Sequence, residues 1–418
     1  MINSADLVQM SQDAKVAARQ LSNLPRTKKD QALIQMAQTL RNASENILST
    51  NQAECQKAQE QGLKAAFVER MTLNPDRIEA MAQGLEKVAQ LDDPINHVDD
   101  MWVNENGLRI GKRRVPLGVI GIIYESRPNV SSDAAGLCFK TGNAVILRGG
   151  KETIQTNQAI VHALQEGLEA VDLPKAAIQF IDNPSHDLAG EMMTMNDSID
   201  CLIPRGSKNL IQRVVQTATI PTIETGVGNC HLYIHEACDF DMALNILING
   251  KTQRVSVCNA LETLLVDQAI AKDFLPLAGQ ALKDHQVKIH GDQVTADYID
   301  GVIPATAADY DEEYLDYEIA IKVVKGYQEA VDHIAEHSSH HSEAIVTNDY
   351  AIANRFMDDV DSACVYVNAS TRFTDGEVFG FGGEIGISTQ KLHARGPMGL
   401  EALTSYKYTI FGQGQIRE

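Results

Sequence analysis

Residues 116–148 read PLGVIGIIYESRPNVSSDAAGLCFKTGNAVILR. The apolar run at 117–123 is a strand buried on both faces, residues 130–140 form a helix, and AVILR at 144–148 is a second strand. The alternation continues outward. A helix over 153–168 leads to strand IQFI at 178–181, a helix over 185–195, strand CLIP at 201–204 and a helix over 207–215. Such alternation specifies a doubly wound α/β sheet whose ligands bind at the carboxyl ends of the strands. A second α/β region follows, with a helix over 239–249 and strands at 263–266, 319–324 and 365–368. Upstream, Leu7, Met10, Ala14, Ala17, Ala18 and Leu21 recur at helical spacing, as do Leu33, Met36, Ala37 and Leu40. Asn74-Pro75 starts a helix and Asp93-Pro94 ends the helical stretch. Residues 102–110 carry the Asn-Gly signal of a hairpin, and Ser405–Phe411 alternates as an exposed strand that would pair between subunits.

A chain of 418 residues with 44% hydrophobic residues has room for two or three domains with their own cores. Seven cysteines, an odd number without a CxxC pair, argue against a disulfide framework and for a reducing, cytoplasmic setting. The first residues have neither the basic start nor the apolar run of a signal peptide, and no stretch is long enough to span a bilayer. A net charge of −20 disfavours nucleic acid and anionic membranes as partners. The charge is uneven. Arg109–Lys151 holds eight basic residues against Glu125 and Asp133, whereas Gly291–Glu318 holds nine acidic residues and no Lys or Arg. The basic segment suits small anions; the plainer alternative for Lys112–Arg114 is a solvated hairpin.

Chemistry begins at Cys258 in QRVSVCNALE, with Glu224 upstream in IETGVGN. A thiolate attacks an acyl carbon, a thioester holds it, and a carboxylate serves proton transfers. Against this stands simple packing, the commonest use of a cysteine. At the end of AVILR, Arg148-Gly149-Gly150-Lys151 puts two cations and two glycines before a helix, a clamp for a phosphate. Arg205-Gly206-Ser207 opens another helix with Ser207 as its cap, where N–H groups can meet a pyrophosphate or a ribose. Gly226-Val227-Gly228 lacks the third glycine of a dinucleotide fingerprint. His333 and His337 share a helix face and, with His340 and His341, raise the alternative of a non-enzymatic metal-binding protein; a third ligand at suitable spacing is missing, so no metal is expected.

In order, VPLGVIGII, TGNAVILR, IPRGS, the glutamate of IETGVGN and the cysteine of SVCNALE resemble the linear plan of the aldehyde dehydrogenase superfamily, and DEEYLDYEIAI and FGFGGEIGIST continue the match over nearly the whole chain. Within it, YESRPNVSSDAA (124–135), TQRVSVCNALE (252–262) and AVDHIAEHSSHHSEAI (330–345) resemble the branch that reduces L-glutamyl 5-phosphate to L-glutamate 5-semialdehyde in proline biosynthesis. The resemblance implies an α/β, aldehyde dehydrogenase-like fold. Its Rossmann-type cofactor domain would span 1–99 and 116–226, its catalytic domain 227–400, and a small β oligomerisation element 100–115 and 401–418. Cys258 takes the nucleophile's place. Arg148 falls where the superfamily has a ribose-contacting lysine, and Lys151 where NAD-preferring members have a glutamate, which points to NADP (NADPH). Gly206 and Ser207 take the cofactor-contacting Gly-Ser position, and Glu313 would hold the nicotinamide ribose.

Two departures matter. Where hydrolytic members carry an oxyanion-stabilising asparagine, this chain offers Ser126 and Asn129 as rivals. Glu224 matches the water-activating glutamate, yet a phosphate reductase gains nothing from hydrolysis, so Glu224 would orient the nicotinamide or act as an acid. Arg127, Arg254 and Arg372 are, on charge alone, candidates for the phosphate or the α-carboxylate. A homo-oligomer is expected, with glutamate 5-kinase as a further candidate partner. The rival enzyme is a hydrolytic NAD(P)-dependent aldehyde dehydrogenase.

Overall fold

Several helix starts follow capping residues written in the chain. The computed structural model describes residues 2–417, apart from the side chain of Ala66; Met1 and Glu418, the outer ends of the first and last expected segments, lie outside the described residues. Helices α1 (Ser4–Leu21), α2 (Arg26–Asn42), α3 (Ser44–Glu60), α4 (Ala65–Met71) and α5 (Pro75–Gln90) occupy the N-terminal region. Asn74 Oδ1 accepts from Arg77 N at 2.8 Å and Pro75 sits at the first helical position, where its missing N–H costs nothing. Strands β1 (Val98–Val103) and β2 (Arg109–Pro116) form the hairpin, closed by Gly107 at φ 78°.

The opening stretch folds as its alternation requires. Strand β3 (Val119–Tyr124), α6 (Asn129–Lys140), β4 (Ala144–Arg148), α7 (Ile154–Glu169), β5 (Ile178–Phe180), α8 (His186–Met192), β6 (Cys201–Arg205) and α9 (Lys208–Thr217) succeed one another. The four strands lie parallel in the order β5-β4-β3-β6, and β3 and β4 are buried throughout. The chain enters at β3, steps outward to β4 and β5, then returns to β6 on the other side. The winding therefore reverses beside β3, the position where open α/β sheets bind ligands.

A second parallel sheet is built from β7 (Cys230–Ile234), β8 (Leu261–Asp267), β9 (Lys288–Gly291), β10 (Ile303–Pro304), β11 (Glu318–Val324), β12 (Ser342–Val346) and β13 (Cys364–Val367), in the order β10-β9-β11-β8-β7-β12-β13. Helices α10 (Phe240–Thr252), α11 (Ala271–Asp284), α12 (Gln293–Ala296), α13 (Tyr327–His337) and α14 (Tyr350–Asp359) connect them. One face buries Leu232, Ile234, Leu264 and Val266 with Leu247, Phe274 and Leu275. The other buries Tyr233, Leu265 and Ile345 with Ile334 and Phe356. A two-residue pair, β14 (Ile387–Ser388) and β15 (Gly396–Pro397), follows.

Strand β16 (Thr404–Phe411), expected to pair between subunits, runs antiparallel to β2 of its own chain, Thr404 opposite Pro116 and Phe411 opposite Arg109. The hairpin's basic residues serve this sheet: Lys112 Nζ lies 4.1 Å from the Tyr406 ring centroid, and Arg114 Nε donates to Asp99 at 3.0 Å. The described residues form two compact units, 2–225 with Gly380–Gly386 and 398–417, and Gly226–Phe379 with Ile387–Pro397. Residues 380–386 and 398–400, expected in the catalytic segment, thus cluster with the first unit. Ile385 N donates to Met398 O at 3.0 Å, and Arg205 Nη1 donates to Ile385 O at 2.5 Å. Among the described residues no helix is long and apolar enough to cross a membrane.

Candidate active site

In the second unit the thiol loop, residues 253–260, joins α10 to β8. Cys258 is partly exposed, and none of the seven cysteines forms a disulfide. Its backbone is tightly wrapped. A Cβ on Gly228 would lie 1.5 Å from Cys258 O, so only glycine allows this approach. Cys230 Sγ donates to the same carbonyl at 3.2 Å, and burial pushes that thiol well up, which keeps its proton in place for the bond. Gly228 N–H donates to Glu313 Oε1 at 2.8 Å, tying the loop before β11 to the same point. Asn229 extends the knot, its Nδ2 donating to Tyr310 O at 2.6 Å and to His337 O at 2.9 Å.

Arg372 stands with the thiol loop, and Arg254 lies near Arg372. Burial first, then the Arg254 charge, holds the half-buried Arg372 guanidinium below its ordinary value, while Cys258, Asp375 and Cys230 pull it back. Arg372 Nε donates to Gln253 Oε1 at 2.9 Å, and its turn is pinned to the thiol loop by Thr371 Oγ1, which donates to Asn259 O at 2.8 Å. The half-buried Arg372 and the exposed Arg254 are like charges whose nearness favours an anion between them. Gly228, Cys258 and Glu313 precede β7, β8 and β11, so they gather at the amino ends of parallel strands, opposite to the end that the α/β rule favours.

In the first unit the candidates do lie at carboxyl ends. Arg148, the last residue of β4, is 8% exposed; its Nη2 donates to Pro184 O at 3.0 Å while its buried Nε has no partner. Burial and the Arg213 charge lower its pKa, against Glu152. Lys151 is exposed one turn before α7. After β6, Ser207 caps α9, but its N–H and Oγ already hold a carboxylate: Glu125 accepts them at 2.9 and 2.7 Å. A Cβ on Gly206 would lie 2.7 Å from Glu125 Cδ. The group was missed because Glu125 reads as a solvent charge in YESRPN; its place directly after a buried strand was the available signal. An orphaned guanidinium N–H, a free cation and a helix end that holds an anion fit the phosphates of a dinucleotide.

The other candidates are more scattered. Asn129, exposed at the start of α6, donates from Nδ2 to Asp133 at 2.9 Å, whereas its rival Ser126 is buried with Oγ 3.4 Å from Glu152. Arg127 and Glu224 are partly buried in the first unit. The histidines have separate partners. Lys322 Nζ meets His333 Nδ1 at 3.2 Å, His337 Nδ1 meets Asp311 at 2.8 Å, and His340 Nδ1 meets Asp361 O at 2.9 Å. Burial, with His231 and Lys322, holds His333 neutral, down at about 2, and burial takes His341 to about 4. Among the described residues no cluster of three or more His, Cys, Asp or Glu is placed to hold a metal.

Two parallel sheets, one with a phosphate-suited strand-end turn and one with a wrapped thiol, match the aldehyde dehydrogenase family, whose profile covers residues 1–320. The chain belongs to that family, and membership implies a nicotinamide dinucleotide cofactor. It is 54% identical to the gamma-glutamyl phosphate reductase of Clostridium beijerinckii, over 99% of this chain and 100% of that one. It also superposes on the crystal structure of gamma-glutamyl phosphate reductase from Thermotoga maritima with a TM-score of 0.96 and 45% identity, covering 99% and 100% of the two chains. An acetylating aldehyde dehydrogenase from Geobacillus thermoglucosidasius, 18% identical with a TM-score of 0.71 over 99% and 98% of the chains, shares the fold.

Proposed function

We propose that the chain is an NADPH-dependent acyl-phosphate reductase that converts L-glutamyl 5-phosphate to L-glutamate 5-semialdehyde and inorganic phosphate in proline biosynthesis. The carrying observation is the Arg372 guanidinium, bonded to Gln253 of the thiol loop and near enough to feel the charges of both Cys258 and Arg254. A hydrolytic aldehyde dehydrogenase has no anion to place there, whereas an acyl phosphate brings its leaving group to two cations. Names of relatives more than half identical over nearly the full length support the same reading.

Cys258 Sγ attacks the acyl carbon, the carbon–oxygen bond to phosphate breaks, and phosphate departs with the electron pair, leaving a thioester on Cys258. Arg254 and Arg372 hold the departing dianion; Arg127 is a candidate for the α-carboxylate. The oxyanion takes the Cys258 N–H together with Ser126 or Asn129. Arg148 and Lys151 hold an adenosine 2′-phosphate, Gly206 and Ser207 the pyrophosphate once Glu125 yields the helix end, and Glu313 the nicotinamide ribose. When bound, the reduced nicotinamide supplies the hydride that takes the acyl group to the aldehyde level. Glu224 serves as an acid or orients the cofactor rather than activating water. The exposed side chains of β16, Tyr406, Tyr408 and Ile410, suit a homo-oligomer, and a cytoplasmic setting fits seven cysteines without a disulfide. The test is the reverse reaction. Oxidation of the semialdehyde by NADP should require inorganic phosphate; equal turnover without it would instead identify a hydrolytic enzyme.

A further inference from the structure

A buried ion pair stands across the base of the thiol loop. Lys251 Nζ and Glu262 Oε2 are 2.6 Å apart, and neither side chain has any exposed surface. Lys251 lies in the last turn of α10 and Glu262 is the second residue of β8, so the pair joins the two ends of residues 253–260. The other carboxylate oxygen is also engaged: Oε1 accepts Leu315 N–H at 3.3 Å. Leu315 holds φ 53°, a left-handed conformation that leucine adopts only when its surroundings impose it, and Lys251 Nζ lies 6.0 Å from the Tyr314 ring centroid. Two residues earlier, Glu313 takes the Gly228 N–H. Two loops, one with the thiol and one with the carboxylate assigned to the nicotinamide ribose, thus share one buried anchor.

The pair is an unusual way to close a loop. Two charges removed from water are costly, and an aliphatic pair of similar volume would close the base with less desolvation. An aliphatic pair has no acceptor for Leu315 N–H, however. Burial pushes the Glu262 carboxyl up and the Lys251 ammonium down, while each charge pulls its partner back toward the ionised form, with Leu315 N–H adding to the hold on Glu262.

We propose that Glu262, held by Lys251, is a positioning residue that keeps the Cys258 loop and the Glu313 loop in fixed register, so that the thiol and the cofactor contact are set together. The proposal rests on the reading of Glu313 given above. The experiment uses the full-length protein and two readouts besides turnover: the rate of iodoacetamide alkylation at Cys258, located by peptide mass, and the NADPH dissociation constant from nicotinamide fluorescence. The double variant Lys251→Met/Glu262→Leu removes the charges together, and its Tm is expected to stay within a few degrees of the parent. Alkylation should slow roughly tenfold as the thiol drifts from the Arg372 cation, and NADPH binding should weaken by a similar factor, about 1.4 kcal/mol each. A folded double variant with both values at the parent level, or with only one displaced, overturns the proposal. Glu262→Asp, which keeps the charge but shortens its reach to Leu315, decides the matter if the double variant does not fold. Alkylation should slow and the NADPH dissociation constant should rise, each several-fold, and a parent-level value for either refutes the anchor. Glu313→Gln separates the premises: it should weaken NADPH binding without slowing alkylation, and unaltered binding sinks the ribose assignment while the alkylation arm still tests the anchor.

Discussion

The two sheets carry their candidate residues at opposite ends of their own strands, carboxyl ends in one and amino ends in the other. In the first, Glu125, Lys151 and Ser207 follow strands in short, exposed strand-to-helix turns and the buried Arg148 ends β4; in the second, Gly228, Cys258 and Glu313 precede strands and are braced by buried groups. An exposed turn holds a ligand that the fold already attracts through helix-end N–H groups and cations. A nucleophile must be fixed to within a fraction of an ångström, and that demands long-range packing. Substitutions should therefore do more damage in the second unit and remain confined to cofactor affinity or preference in the first.

The largest effect is expected at Gly228. Gly228→Ala drives a methyl group into the Cys258 carbonyl, and the resulting shift of about 1 Å should lower kcat on the order of a hundredfold, with overpacking costing about 1–3 kcal/mol in stability. Steady-state kinetics with a melting curve check this, and a near-parent kcat would show that the wrapping is dispensable. Arg372→Ala should raise KM for phosphate in semialdehyde oxidation by roughly 10- to 100-fold, the worth of one charge-assisted hydrogen bond of about 1.5–3 kcal/mol, with little change in KM for NADP. A shift in KM for NADP instead would move Arg372 to the cofactor. Lys151→Glu, in the first unit, should swing the NADPH-to-NADH ratio of kcat/KM by about tenfold or more toward NADH, since an anion replaces the cation facing the 2′-phosphate. An unaltered ratio removes the clamp. The smallest effect belongs to Glu125→Gln. With a neutral group at the Ser207 helix end, NADPH should bind several-fold tighter in a fluorescence titration, because pyrophosphate no longer displaces a carboxylate. Weaker binding would mean that Glu125 helps hold the cofactor.

The same contrast explains what could be read from the chain. In the first unit the strands at 119–124, 144–148 and 201–205 are largely apolar runs, and each candidate turn follows one directly, so local pattern was enough. In the second, β12 reads SEAIV and begins with a fully buried Ser342 and Glu343, while β7 contains a buried His231 whose neighbour is that same Glu343. Polar residues in a core defeat a search for apolar runs, and both strands were overlooked. Strand β8 was expected two residues late for the same reason. Glu262 looks like the polar edge of the strand until its partner Lys251, on another element, is seen. Cys258, Arg148 and Lys151 could be proposed from residue type and position alone. Gly228, Cys230 and Glu262 act through contacts across the sheet that no local window contains.

The covalent role of Cys258 is tested most directly by the Cys258→Ala variant, with NADPH binding and Tm measured beside reductive turnover of the acyl phosphate. The account predicts that cofactor affinity and Tm stay at the parent level while turnover falls by roughly four orders of magnitude or more. A Cys258→Ala protein that still reduces the substrate at a rate comparable to the parent would contradict it.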